Sequence, residues 1–116
     1  MKVIFICQAN INRSPSFELW FKRDFPKHEV RSAGVMYGYP YMVNKQMENE
    51  TLAWADVIFI MDLEQHASLK EHFPNHLHKV KMIGLSDQYQ REGIQMEFMY
   101  RHWRDNIFKM QFMGAI

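Results

Sequence analysis

A single cysteine among 116 residues excludes an internal disulfide, and equally a Cys-x-x-Cys zinc or dithiol redox site, so a reducing cytoplasm is the expected setting. Proline and glycine are scarce, at 4 and 5 residues, which excludes fibrous repeats and low-complexity linkers. Excess charge is also missing. The 14 Lys and Arg face 13 Asp and Glu, and a net charge of +1 gives no general electrostatic case for a nucleic-acid or anionic-membrane partner. Long apolar runs are absent too: Met1 to Cys7 starts like a signal sequence but stops at Gln8 and Asn10, and nothing approaches the roughly 20 apolar residues of a membrane span. What is present is a chain 47% apolar and 23% charged, enough to build one core, so one domain over residues 1–116 is expected.

Val3-Ile4-Phe5-Ile6 and Val57-Ile58-Phe59-Ile60 are β-branched or aromatic and apolar at every position, the pattern of strands covered on both faces. Lys79 to Ile83 and Glu29 to Gly34 read as shorter, more polar strands nearer an edge. Helical spacing separates them. Phe17, Trp20, Phe21 and Phe25 form one face of a first helix, with Pro15 at its start and Ser14 as a candidate cap. A second helix is expected from Asn44 to Ala55 and a third from Asp62 to Phe73, stopped by Pro74. A fourth, about Ile94 to Met110, would bury Met96, Met99, Tyr100, Trp103, Ile107 and Met110. Strands alternating with helices predict a three-layer α/β fold, a parallel sheet with helices on both faces. Ligands of such sheets bind beyond the carboxyl ends of the strands.

The turn leaving the first strand reads Cys7-Gln8-Ala9-Asn10-Ile11-Asn12-Arg13-Ser14-Pro15, which contains Cys-x5-Arg-Ser. A loop of this length can wrap its backbone N–H groups around a tetrahedral anion at a helix N-terminus, so residues Gln8 to Ser14 are candidate phosphate ligands. Arg13 would close it with a planar fork that grips two phosphate oxygens. The amide dipoles, the helix terminus and the Arg13 charge all favour a thiolate at Cys7, a ready nucleophile. Taken separately, the pieces are ordinary: a buried strand-end cysteine, a surface charge and a helix start. Their placement together between a buried strand and a Ser-Pro helix start is far more restrictive.

The segment resembles the phosphate loop of the low-molecular-weight protein tyrosine phosphatase family, in particular its compact bacterial-type predicted tyrosine phosphatases. Arg31-Ser32-Ala33-Gly34 and Trp54-Ala55-Asp56-Val57-Ile58-Phe59-Ile60-Met61 extend the likeness over essentially the whole chain. The resemblance implies a four-stranded parallel sheet in the order 2-1-3-4. It further implies a metal-independent phosphatase with no cofactor, acting through phosphocysteine on a phosphotyrosine protein or a small aryl phosphate. Cys7 is then the nucleophile, Arg13 the phosphate clamp, and Asn10, Ser14 and Ser32 braces of the loop. A leaving oxygen needs a proton donor. The family's Asp-Pro-Tyr acid corresponds to Asp87 in Ser86-Asp87-Gln88-Tyr89, with Gln88 in place of Pro. Tyr89, Tyr37 and Tyr39 are candidates for an aromatic wall, although Gly38, Tyr39 and Pro40 also make an ordinary turn.

Other readings are weaker. Arsenate reduction on the same fold uses resolving cysteines, and there are none. A sugar phosphotransferase carrier forms phosphocysteine but needs neither Arg13-Ser14-Pro15 nor Asp87. A phosphate- or phosphopeptide-binding module with poor turnover is kept open by Gln88. His72, His76 and His78 flank Pro74, which breaks any shared helical face, so no metal is expected there.

Overall fold

The computed structural model describes residues 1–35, 46–86, 88 and 91–113. Its elements in chain order are β1 (Lys2–Cys7), α1 (Arg13–Asp24), β2 (Glu29–Gly34), α2 (Asn49–Trp54), β3 (Val57–Ile60), α3 (Leu63–His72), a 3₁₀ segment (Pro74–Lys79), β4 (Val80–Met82), α4 (Ile94–Trp103) and a π-helical segment (Arg104–Met113). The four strands form one parallel sheet in the order β2-β1-β3-β4. That is the order the resemblance implied, with β1 inside and β2 and β4 at the edges.

Side chains of a strand alternate between faces, and here the alternation divides the core in two. Val3, Phe5 and Cys7 of β1 join Phe17, Trp20, Phe21 and Phe25 from α1, with Met96, Tyr100, Phe108 and Phe112 from the C-terminal helix. Ile4 and Ile6 face the other way and join Leu52, Ala55 and Leu69 on the side of α2 and α3. The first layer is aromatic. Phe5 stacks on Phe59 at 5.4 Å between ring centroids and meets Phe17 and Phe21 edge-on at 5.6 Å each, the geometries that ring quadrupoles favour. Parity also places Cys7, the last residue of β1, on the face that α1 covers.

The fourth helix departs from the expected face. Met96 and Tyr100 are buried and Met99 and Trp103 pack against them, but Met110 is 76% exposed and Ile107 is also exposed. Phe108 and Phe112 are buried instead. Beyond Trp103 the chain takes the wider i→i+5 turn, so a 3.6-residue ruler carried past that point selects the wrong residues. Two boundaries also move. The second helix begins only at Asn49, because Gln46 bridges Gly34 and the Met47 amide donates to the Gly34 carbonyl, extending the chain there. The fourth strand begins at Val80, because Lys79 closes the 3₁₀ segment and sends its Nζ to the carbonyl of Leu52.

Tyr100, wholly buried, donates from its hydroxyl to Asp24 Oδ2 at 2.8 Å and ties α4 to the end of α1. Burial and this bond to Asp24 push the Tyr100 hydroxyl far above its ordinary pKa. Burial also pushes the Asp24 carboxyl up, but hydrogen bonds from Arg23 and Tyr100 outweigh it and leave the group below its ordinary 3.8. A carboxylate with a lowered folded-state pKa contributes stability that is complete above the ordinary value and lost as pH falls through the lowered one. Tyr100→Phe is therefore expected to cost about 1.5 kcal/mol near neutrality. The gap from wild type in urea unfolding should narrow as the pH is taken from about 5 downwards.

Candidate active site

The connection from β1 to α1 runs from Cys7 to Arg13 and is shaped mostly from outside. Gly34, at the end of β2, lies so close that a Cβ there would stand 2.8 Å from the Gln8 carbonyl oxygen and 2.9 Å from both Ala9 C and Asn10 N. Only a residue without a side chain lets the loop settle against β2. The Val35 amide then donates to the Cys7 and Gln8 carbonyls, fixing the first step of the loop. Asn10 turns the chain with φ of 56°, the left-handed conformation that Asn tolerates better than most residues.

That turn brings the Asn10 amide to the Cys7 sulfur, N to Sγ 3.2 Å, and the Ser14 hydroxyl lies 3.0 Å from the same sulfur. Asn10 spends both hydrogens of its side-chain amide on hydroxyls, Ser14 Oγ at 2.8 Å and Ser32 Oγ at 2.9 Å. The Ser32 hydroxyl in turn donates a hydrogen bond to Glu18 Oε1 at 2.5 Å. One chain of hydrogen bonds thus joins β2, the loop and the first turns of α1 around a cysteine that is 2% exposed. Ser14 is not a helix cap, since α1 starts at Arg13 and Asn12 holds the cap position without a side-chain bond. Its hydroxyl is turned to the sulfur.

Arg13 is 1% exposed. Its Nη1 donates to Asp62 Oδ2 at 2.6 Å and to the Leu85 carbonyl at 2.8 Å, two groups at the exits of β3 and β4. The Leu85 carbonyl reaches it because Gly84 takes φ of 81° after β4, a conformation that side chains rarely adopt. Asp62 also caps α3: its Oδ1 accepts from the Glu64 amide, and Gln65 Oε1 returns to the Asp62 amide at 2.8 Å, a capping box. Gln65, fully buried, donates from Nε2 to Gln8 Oε1 at 3.0 Å, so the start of α3 also grips the loop.

The structure therefore brings together Cys7, Gln8, Asn10, Arg13, Ser14 and Ser32, with Ala9, Ile11 and Asn12 in the same loop and Ile11 48% exposed. Asp87, Tyr89, Tyr37 and Tyr39 lie outside the described residues. The residues that sequence reasoning missed are Glu18, Asp62 and Gln65. All three carried a signal: Asp62-x-x-Gln65 at a helix start is a capping-box pattern, and Glu18 follows Ser14 by four residues on one helix. Among the described residues no three His, Cys, Asp or Glu lie close enough to hold a metal ion, and His76 bonds instead to Asn49. Among the described residues, too, no helix is long and apolar enough to cross a membrane.

Two outcomes follow from this packing. Gly34→Ala should force the loop backbone away from β2, lowering stability by about 1–3 kcal/mol and weakening inorganic phosphate binding in calorimetry. Asp62→Ala removes both a helix cap and the carboxylate facing a buried guanidinium, at a cost of about 3 kcal/mol. Phosphate at a fixed concentration should then raise the melting temperature of Asp62→Ala by more than that of wild type, because the anion supplies the missing charge.

No family model matches the chain, and no curated protein matches it in sequence. Solved structures do. A low molecular weight protein tyrosine phosphatase from Streptococcus pyogenes superposes with a TM-score of 0.74 at 20% identity, covering 97% of this chain and 93% of its own. The tyrosine phosphatase Wzb from Escherichia coli K30, in complex with phosphate, gives 0.73 at 18% identity, covering 91% and 97%. The YwlE arginine phosphatase from Geobacillus stearothermophilus gives 0.60 at 23% identity, covering 90% and 83%. The chain has the fold of the low molecular weight protein tyrosine phosphatases.

Proposed function

We propose that the chain is a metal-independent phosphomonoester hydrolase of the cytoplasm, acting on phosphotyrosine or small aryl phosphates, with residues 1–116 as one domain. The observation that carries this reading is the Cys7 sulfur at the end of an inner strand, met by the Asn10 amide and the Ser14 hydroxyl, in a loop closed by Arg13. Cys7 attacks phosphorus as a thiolate. The S–P bond forms as the ester P–O bond breaks, and Asp87, protonated, gives its proton to the leaving oxygen. The Arg13 guanidinium and the loop amides hold the three phosphoryl oxygens. Asp87, now a carboxylate, takes a proton from the water that attacks phosphocysteine, and inorganic phosphate leaves with the thiolate restored.

Ile11 gives the loop an exposed apolar edge, which suits a phenyl ring and offers nothing to a guanidinium. This favours phosphotyrosine over phosphoarginine. A second reading, a phosphate- or phosphopeptide-binding module with poor turnover, is favoured by Gln88, which stands where the resembling family has proline beside its acid.

The test is hydrolysis of an aryl phosphate across about pH 4 to 8, in reductant and chelator. Cys7→Ser should abolish turnover while phosphate still binds. Asp87→Asn should slow it by about 10²-fold or more, and a phosphotyrosine peptide should turn over faster than a phosphoarginine peptide. Folded, reduced wild type that binds phosphopeptide but releases no phosphate would transfer the assignment to the binding module.

A further inference from the structure

Beside the loop, an open cleft of about 500 Å³ lies between the start of α3 and the exit of β4, lined by Asp62, Leu63, Glu64, Met82, Gly84 and Ser86. It shares its wall with the candidate active site. Asp62 is the carboxylate that holds Arg13, and Leu85, whose carbonyl also holds Arg13, stands between the lining residues Gly84 and Ser86. Ser86 directly precedes Asp87. A group bound in the loop thus has this cleft as its neighbour on the side of β3 and β4.

The lining combines two features. Leu63 is 70% exposed and Met82 47% exposed, so two large apolar side chains face solvent in one cleft. The charged groups lining the cleft are both acidic, Asp62 and Glu64. Arg13 and the positive end of α3 balance Asp62. Glu64 forms no ion pair among the described residues, so its charge is the one left to act on a ligand. A phosphoryl dianion against Arg13 would make the surroundings more negative still. A long aliphatic stem ending in a cation matches both features, with methylenes on Leu63 and Met82 and the charge at Glu64.

We propose that this cleft is a specificity subsite that receives a lysine or arginine side chain flanking the phosphorylated residue of a peptide substrate. It rests on the phosphatase reading for its substrate, and its test is independent of turnover. The probes are three peptides carrying phosphonomethylphenylalanine, a non-hydrolysable phosphotyrosine mimic, with Lys, norleucine or Glu on both sides of it. Binding to the full chain is measured by fluorescence anisotropy. The Lys peptide should bind most tightly and the Glu peptide least, with a ratio of roughly three- to tenfold between them that shrinks at about 0.5 M salt. Glu64→Lys should abolish or invert that order and leave aryl phosphate turnover unchanged, because an aryl phosphate has no flanking residue. Equal affinity for the three peptides, tightest binding of norleucine, no binding of any of them, or a Lys preference that survives Glu64→Lys each overturns the subsite. Loss of the phosphatase reading shows separately, as absent aryl phosphate hydrolysis with the Lys preference in binding intact.

Discussion

Arg13 carries a charge that is almost entirely withdrawn from water, and the arrangement around the site follows from meeting it. A guanidinium in that position is tolerated only if a carboxylate and further acceptors surround it. Asp62 and the Leu85 carbonyl supply them, one at the exit of β3 and the other beyond β4. The loop after β1 is thereby pinned to two neighbouring strand exits. Gly34 and Ser32 do the same from β2, through close backbone approach and through the Asn10 side chain. All four strands therefore converge on the five residues between Cys7 and Arg13, and a segment with no regular structure of its own is held in one shape.

The two faces of the sheet serve this end differently. On the α1 side, Phe5 sits among Phe17, Phe21 and Phe59, a contiguous aromatic layer that fixes how α1 lies over the sheet. The direction of α1 in turn sets where its N-terminal amides and Ser14 point. On the opposite face the packing is aliphatic, with Ile4, Ile6, Ile58, Ile60 and Leu69. That layer seats α3, whose first turn carries Asp62 and Gln65. Each face thus delivers one helix N-terminus to the loop: the dipole of α1 favours a bound anion, while that of α3 is met by its cap Asp62.

Much of this was legible in the chain. Unbroken apolar quartets identified β1 and β3, and the i, i+3, i+4 aromatic spacing identified the buried face of α1, because both patterns reflect burial that any compact packing of those residues requires. Cys7, Arg13 and Ser14 stood out because their spacing matches what wrapping an anion demands. The places where the reading departed have a common origin in contacts between distant parts of the chain. The second helix starts late because Gln46 pairs with Gly34. Phe108 and Phe112 replace Ile107 and Met110 in the core because the last helix widens where it packs across Phe5, Phe59 and Phe21. A periodicity assumes one helical geometry throughout and cannot register that change.

The amino-acid sequence by itself determined the alternation of strands and helices, the two-sided burial of β1 and the chemistry available in the loop, all properties of residue type and local spacing. Only the tertiary structure decided which groups stand around that loop. Glu18, Asp62, Gln65 and the Leu85 carbonyl are ordinary side-chain or backbone groups until the sheet order sets β2 on one side of β1 and β3 and β4 on the other. Glu18 lies 14 positions from its partner Ser32, Asp62 49 from Arg13, Gln65 57 from Gln8 and Leu85 72 from Arg13. No local pattern spans such distances. Partnership between them is settled by strand order, and strand order is settled by packing of the whole chain.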